Sequence, residues 1–174
     1  MGKPKALLPY GAATFSRSIL TALIKGGTRL MVVVGHDPGP IVAHLCDLAP
    51  RFVLNSKWRL GQLSSLQAAL RCAKGAAAVL VALVDQPGLR PGTVRRLLRE
   101  HRRNPKKILV ASYRGRSGHP VLFPRRFFRE LLRTPQSKGA RAVVQHHLED
   151  RHRVPTTDPA VVRDVDTPAK YASL

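Results

Sequence analysis

Short, nearly continuous apolar runs alternate with segments whose apolar residues recur at helical spacing, and this alternation constrains the fold more than any other feature of the chain. Arg29 to Val34, Phe52 to Leu54, Val79 to Val84 and Ile108 to Ala111 read as strands, with Val121 to Phe123 and Val161 to Val165 as further candidates. Tyr10 to Lys25 places Ala12, Phe15, Ile19, Ala22 and Leu23 on one helical stripe, which Gly26-Gly27 stops. Helices are also expected over Ile41 to Leu48, from a Ser64 or Ser65 cap to about Ala73, and from Pro91 or Thr93 through His101. Arg126 to Leu132, Ala140 to Leu148 and Pro168 to Ala172 complete the set. Strands this apolar are buried on both faces, so repeated strand–helix–strand units imply an α/β fold: a mostly parallel sheet with helices on both sides. Residues 1–174 read as one domain.

Composition removes several classes. The longest purely apolar run, Ala76 to Val84, has nine residues, whereas a membrane span needs roughly 20. No apolar stretch of a secretory leader follows the first residues, so the expected location is cytoplasmic. Cys46 and Cys72 stand outside any C-x-x-C, and read as two reduced, buried thiols. Thirty Lys and Arg against ten Asp and Glu give a formal charge of +20, which suits anionic partners. Aromatic residues make up only 5% of the chain, so stacking platforms for single-stranded nucleic acid are scarce and nucleic acid is not the expected partner. Arg95, Arg96, Arg99, Arg102 and Arg103 lie opposite Val94, Leu97 and Leu98 on one helix and read as a solvated face.

In open parallel sheets, ligands bind beyond the carboxyl ends of the strands. Gly35 to Pro40, Asn55 to Ser65, Asp85 to Pro91, Ser112 to Pro120 and Asp164 to Pro168 are therefore the segments to watch. Asp85 at the mouth of the most apolar strand could hold Mg²⁺ against a phosphate, or simply form a turn. Asp164 and Asp166 alternate, so an extended segment would aim both at one ion; alternatively Asp166 or Thr167 caps the last helix, with Pro168 at its first position. Lys3 and Lys5 precede a helix and could neutralise a triphosphate, or be ordinary solvent lysines. Gly61, Ser64 and Ser65 could present N–H groups and hydroxyls to a nucleotide, or only start a helix. Gly118, His119 and Pro120 lie in an expected loop among Arg114, Arg116 and Arg125. His146-His147 reads as helix surface rather than a metal site, because no further ligand is near it in sequence.

Taken in order, Met1-Gly2-Lys3-Pro4-Lys5-Ala6-Leu7-Leu8-Pro9, Val33-Val34-Gly35-His36-Asp37, Asn55 with Trp58, Gly61-x-x-Ser64-Ser65-Leu66, Asp85-Gln86-Pro87, Gly118-His119-Pro120-Val121-Leu122-Phe123, Lys138-Gly139-Ala140-Arg141 and Asp164-Val165-Asp166-Thr167-Pro168 resemble the MobA-like nucleotidyltransferases, and most of all their molybdenum cofactor cytidylyltransferase branch. The resemblance implies a three-layer, Rossmann-like nucleotidyltransferase fold. It implies Mg²⁺-dependent transfer of CMP, or another nucleoside monophosphate, from the triphosphate to the terminal phosphate of a molybdopterin-type cofactor, with pyrophosphate released. By the same resemblance Asp85 and Asp166 hold the metal, and Lys5 with Asp85 carries the chemistry. Lys3, Lys5, Asn55, Gly61, Ser64 and Ser65 contact the nucleotide, and Gly118, His119 and Pro120 shape the acceptor side. A molybdoenzyme or its chaperone is the implied recipient of the product.

The pattern departs from the family in two places. The family carries a first strand and a glycine-rich Leu-Ala-Ala-Gly-x-Ser-x-Arg segment directly before Met-Gly-x-Pro-Lys, and this chain begins at that methionine. A central strand and the phosphate-cradling loop are thus expected to be missing, with weak or absent catalysis. Lys138 also stands where the family often has an acidic residue. The competing expectation is a noncatalytic paralogue that binds nucleotide or cofactor, or acts through its basic surface on anions or nucleic acid.

Overall fold

The structure, a computed structural model, describes residues 4–174. A two-residue hairpin, β1 (Pro9–Tyr10) and β2 (Ala13–Thr14), leads into helix α1 (Phe15–Gly26). Then come β3 (Met31–Val34), α2 (Gly39–Leu45), β4 (Arg51–Leu54), α3 (Gln62–Cys72), β5 (Ala78–Val81) and α4 (Pro91–Arg103). The chain continues through β6 (Ile108–Tyr113), β7 (Arg116–Pro124), α5 (Phe128–Arg133), α6 (Gly139–His146), β8 (Arg151–Thr156) and α7 (Pro168–Ala172). β3 and β4 pair in parallel. A four-stranded sheet has the order β5-β7-β6-β8. β7 is antiparallel to both β5 and β6, whereas β8 is parallel to β6. β5, β6 and β8 therefore share one direction, and β7 alone is reversed.

The strand pleat explains the layers. Ile108 and Val110 of β6 and Val121 and Phe123 of β7 face Leu63, Leu66 and Leu70 of α3, with Phe127, Phe128 and Leu131. Their alternate neighbours Leu109, Ala111 and Leu122 face Leu97 of α4 on the other side. Helix α1 packs closely on α4: a Cβ added at Gly26 would lie 2.3 Å from a Val94 methyl.

Several elements differ from expectation. Helix α1 starts at Phe15, not Tyr10, because residues 9–14 form the hairpin and Thr14 caps the helix by accepting from the Arg17 N–H at 3.3 Å. Gly61, at φ +97°, rather than either serine, ends the turn before α3. Gly118, His119 and Pro120 are not in a loop: only Arg114 and Gly115 turn, and these three residues lie in β7, in the irregular stretch between its pairing with β6 at Arg116–Ser117 and its pairing with β5 and β6 from Val121 on. Pairing on either side of them carries the strand through a turn-like composition. Val161 to Val165 is not a strand; Pro159–Val162 forms a 3₁₀ turn whose first N–H groups are met by Asp158. The last strand is instead Arg151–Thr156, an edge strand too polar to carry an apolar signature. Both cysteines are free, but Cys46 is exposed and Cys72 only partly buried, where the sequence suggests two buried thiols. No helix among the described residues is long and apolar enough to cross a membrane.

β3 and β5, the two most apolar strands, are the anomaly. No residue of β5 is fully buried, and only Val34 of β3 is. Each has a ladder partner on one side alone among the described residues. Between them lies a cavity of about 1870 Å³, lined by Met31, Val33, Val79, Val81, Leu20 and Leu66 among others. This gap has apolar walls of the kind that a further strand of the sheet would cover.

Candidate active site

Asp85 lies just beyond the carboxyl end of β5. One of its carboxylate oxygens is buried and has no hydrogen-bond partner. Burial raises its pKa, the charges of Asp164 and Asp166 raise it further, and Lys5 opposes them. The Val165 N–H donates to the Asp85 carbonyl at 2.8 Å, which brings the 164–166 segment to this point without a strand. Lys5 Nζ lies 3.2 Å from an oxygen of Asp166, and Lys170 Nζ lies 3.8 Å from the other. Gln86 donates through Nε2 to Asp164 at 2.5 Å. Lys5 from the N-terminal part, Asp85 from mid-chain and Asp164 with Asp166 from the C-terminal part thus gather in one region. Thr167 caps α7 by accepting from the Lys170 N–H at 3.2 Å, so the cap role falls to Thr167 and leaves Asp166 to the cluster.

The neighbouring rim is built from the segment after β4. Asn55 is buried and donates to Ser64 Oγ at 2.8 Å and Ser65 Oγ at 3.1 Å. Ser64 Oγ also lies 2.7 Å from the Gly61 carbonyl and 3.0 Å from that of Lys57. Its bonding is used in holding the turn, whereas Ser65 and Gln62 line the large cleft. Trp58 stands over Gly35, where an added Cβ would meet its side chain at 2.6 Å. His36 and Arg59 flank the Trp58 ring at 5.3 and 4.8 Å.

On the other side, β7 presents Gly118 and His119 to the cleft beside Asp164 and Gln86. Burial lowers the His119 pKa, with Asp164 opposing, so the imidazole is neutral near pH 7. Gly118 has no substitute: a Cβ there would fall 1.8 Å from the Val161 carbonyl oxygen. Pro120, whose peptide bond to His119 is cis, lies behind them with Leu83 and Leu89. Lys3 falls outside the described residues.

The structure therefore brings Lys5, Asp85 and Asp166 together, with Gly118 and His119 on one flank and Asn55, Gly61, Ser64 and Ser65 on the other. Sequence reasoning passed over Gln86, which orients Asp164; its place in Asp85-Gln86-Pro87 was the available signal. It also passed over Asp158, which is 1% exposed. Asp158 accepts from the Arg90 N–H and the Thr93 hydroxyl, both at 2.8 Å, and so ties the start of α4 to the turn that covers Gly118. Asp158-Pro159 marks only its local role as a cap for the Ala160 N–H; its bonds to Arg90 and Thr93 join residues more than 60 positions apart.

Carboxylates gathered at the strand ends of a three-layer α/β sheet, beside a lysine and a serine-bearing turn, describe a Rossmann-like nucleotidyltransferase fold. The chain belongs to the MobA-like NTP transferase domain family, whose model matches residues 1–154. It is similar to the crystal structure of Rv0371c from Mycobacterium tuberculosis H37Rv, solved also in complex with manganese, at TM-score 0.84 and 28% identity over 99% of this chain, with 91% of the manganese-bound chain covered. Molybdopterin-guanine dinucleotide biosynthesis protein A from Archaeoglobus fulgidus shares the fold at TM-score 0.71 and 16% identity, over 99% of this chain and 89% of that one. Among curated proteins, nicotine blue oxidoreductase of Paenarthrobacter nicotinovorans is 39% identical over 127 residues, or 68% of this chain. The matched stretch is 61% of that relative's length, so this chain spans about three fifths of it.

Proposed function

We propose that the chain is a cytoplasmic cytidylyltransferase, moving CMP from CTP to the terminal phosphate of a molybdopterin-type cofactor. One observation carries the reading: a buried Asp85 oxygen without a partner, set against Asp164 and Asp166. Like charges so placed repel, and a divalent cation relieves both the repulsion and the orphaned oxygen. The donors are hard carboxylate oxygens, which suits Mg²⁺ or Mn²⁺. Asp85 and Asp166 would hold the ion, which when bound neutralises triphosphate charge.

The protein's own groups supply the rest by position and charge. Lys5 exchanges its contact with Asp166 for the triphosphate. Asn55 fixes Ser64 and Ser65, and the turn at Gly61 offers backbone N–H groups to base and ribose. By the resemblance, Lys3, which lies outside the described residues, also contacts the nucleotide. Gly118 lets an acceptor approach the backbone, and neutral His119 can hydrogen-bond its phosphate while Pro120 shapes the wall behind. An acceptor phosphate oxygen attacks the α-phosphorus, and the bond to the β-phosphate bridging oxygen breaks to release pyrophosphate. The resemblance in Asp85-Gln86-Pro87 and Gly118-His119-Pro120 supports cytidylyl over guanylyl transfer, and a molybdoenzyme or its chaperone then receives the product.

Calorimetric titration with CTP tests this directly. Binding should need Mg²⁺ or Mn²⁺ and vanish in Asp85→Ala. Unchanged binding in that variant refutes the reading; if it also weakens steeply with salt, the basic surface is the site instead. The 39% identical relative named nicotine blue oxidoreductase favours a second reading, oxidation or reduction of nicotine blue. Turnover of nicotine blue followed by its absorption, unaffected by Asp85→Ala, would select it.

A further inference from the structure

We propose that Glu130, His146 and His147 form a binding site for one late first-row divalent ion, Zn²⁺ above all, separate from the nucleotide cleft. Helices α5 and α6 pack together, so Glu130, 16 residues before His146, faces the end of α6. Its two oxygens lie 3.2 Å from His146 Nδ1 and 2.7 Å from His147 Nε2. One ligand atom from each of the three side chains lies within 4.8 Å of both others. Around zinc, with ligand bonds of about 2.0–2.2 Å, tetrahedral neighbours stand roughly 3.4 Å apart. To admit an ion the Glu130–His147 edge opens by about 0.7 Å and the edge between the two imidazoles settles to the same spacing. Two imidazoles and one carboxylate suit zinc, nickel or copper rather than magnesium, and leave a coordination position for water or an anion.

His147 already presents Nε2 to Glu130, while its Nδ1 lies 4.0 Å from an Asp150 oxygen, on the side where a second carboxylate favours the metal-bound imidazole electrostatically. Asp150 is itself held by Lys107 at 3.4 Å and by Arg126. The Phe127 ring meets His147 edge-on at 5.0 Å. Adjacency of the two histidines would not by itself make a site; the third ligand comes from another helix. None of the three residues lines the cleft that holds Asp85.

Zn²⁺ titration by calorimetry, in excess Mg²⁺ to occupy oxygen-rich sites, tests the proposal, with Co²⁺ absorption reporting the coordination. One equivalent should bind to the full chain, with the intense visible bands of four-coordinate Co²⁺. His146→Ala should weaken it at least tenfold; His146 is 76% exposed, so its loss leaves packing intact. Glu130→Gln and His147→Ala should do the same, and Mg²⁺-dependent CTP binding should not move in any of them. Failure of Zn²⁺ to bind, or affinity unchanged in His146→Ala and Glu130→Gln, overturns the proposal and leaves the cluster a local ion pair.

Discussion

Replacing Asp85 by asparagine should stabilise the metal-free fold while destroying its response to metal and nucleotide. The neutral amide removes an ionised group that burial, Asp164 and Asp166 all disfavour. Asparagine keeps an acceptor oxygen in the same place, so the gain is the removal of a disfavoured charge alone, about 1 kcal/mol for a half-buried carboxylate partly screened by solvent. For a chain of this size that is a rise of about 3 °C in melting temperature. The sign has a pH signature. Because the folded-state pKa of Asp85 is raised, the native protein keeps this proton where the unfolded chain has lost it. Wild-type stability therefore falls as pH rises from the ordinary carboxylate range through the raised value, and the asparagine variant lacks that fall. The two should melt alike in acid and diverge toward neutrality, with the variant higher. Carboxyls held low elsewhere, such as Asp47 and Glu130, act equally in both and cancel. With Mg²⁺ and CTP at about 100 times the dissociation constant, wild type should gain about 2.7 kcal/mol and overtake the variant, which gains nothing. Differential scanning fluorimetry from pH 4 to pH 8, with and without Mg²⁺ and CTP, reads all of this. A variant less stable than wild type at pH 8, or one with an undiminished Mg²⁺–CTP shift, refutes the argument.

Three other perturbations probe the frame around the site. Asp158→Ala removes three backbone or hydroxyl contacts from a buried carboxylate and leaves the Arg90 and Ala160 N–H groups unmet; urea unfolding should show a loss of about 3 kcal/mol or more. Gly118→Ala drives a methyl into the Val161 carbonyl, and should cost about 1–3 kcal/mol and weaken binding on the His119 side, measured by the same unfolding and titration. The apolar gap between β3 and β5 should bind the dye ANS, and an extended five- or six-residue apolar peptide supplied in trans should displace the dye and raise the melting temperature; no dye binding would mean that the gap is not open to solution.

Much of this protein was legible from sequence because the signal was local. Continuous apolar runs could only be strands in a covered sheet, and β3, β4, β5 and β6 appear where those runs predict them. The segments after β4 and β5 hold Asn55 and Asp85 where strand-end logic puts them, and Ser65 follows in the first turn of α3. What the sequence could not show was decided at long range. Gly118, His119 and Pro120 look like a turn but lie in a strand because β7 is paired on either side of them, at Arg116–Ser117 and from Val121 on. Val161 looks like a strand but lies in a 3₁₀ turn because buried Asp158 holds it there. The union of Lys5, Asp85 and Asp166, and that of Glu130 with His146 and His147, likewise depend on packing. Periodicity reports which face of a segment avoids water. It carries no information about which distant segment supplies the missing hydrogen bond or the opposing charge, and only the assembled layers supply those.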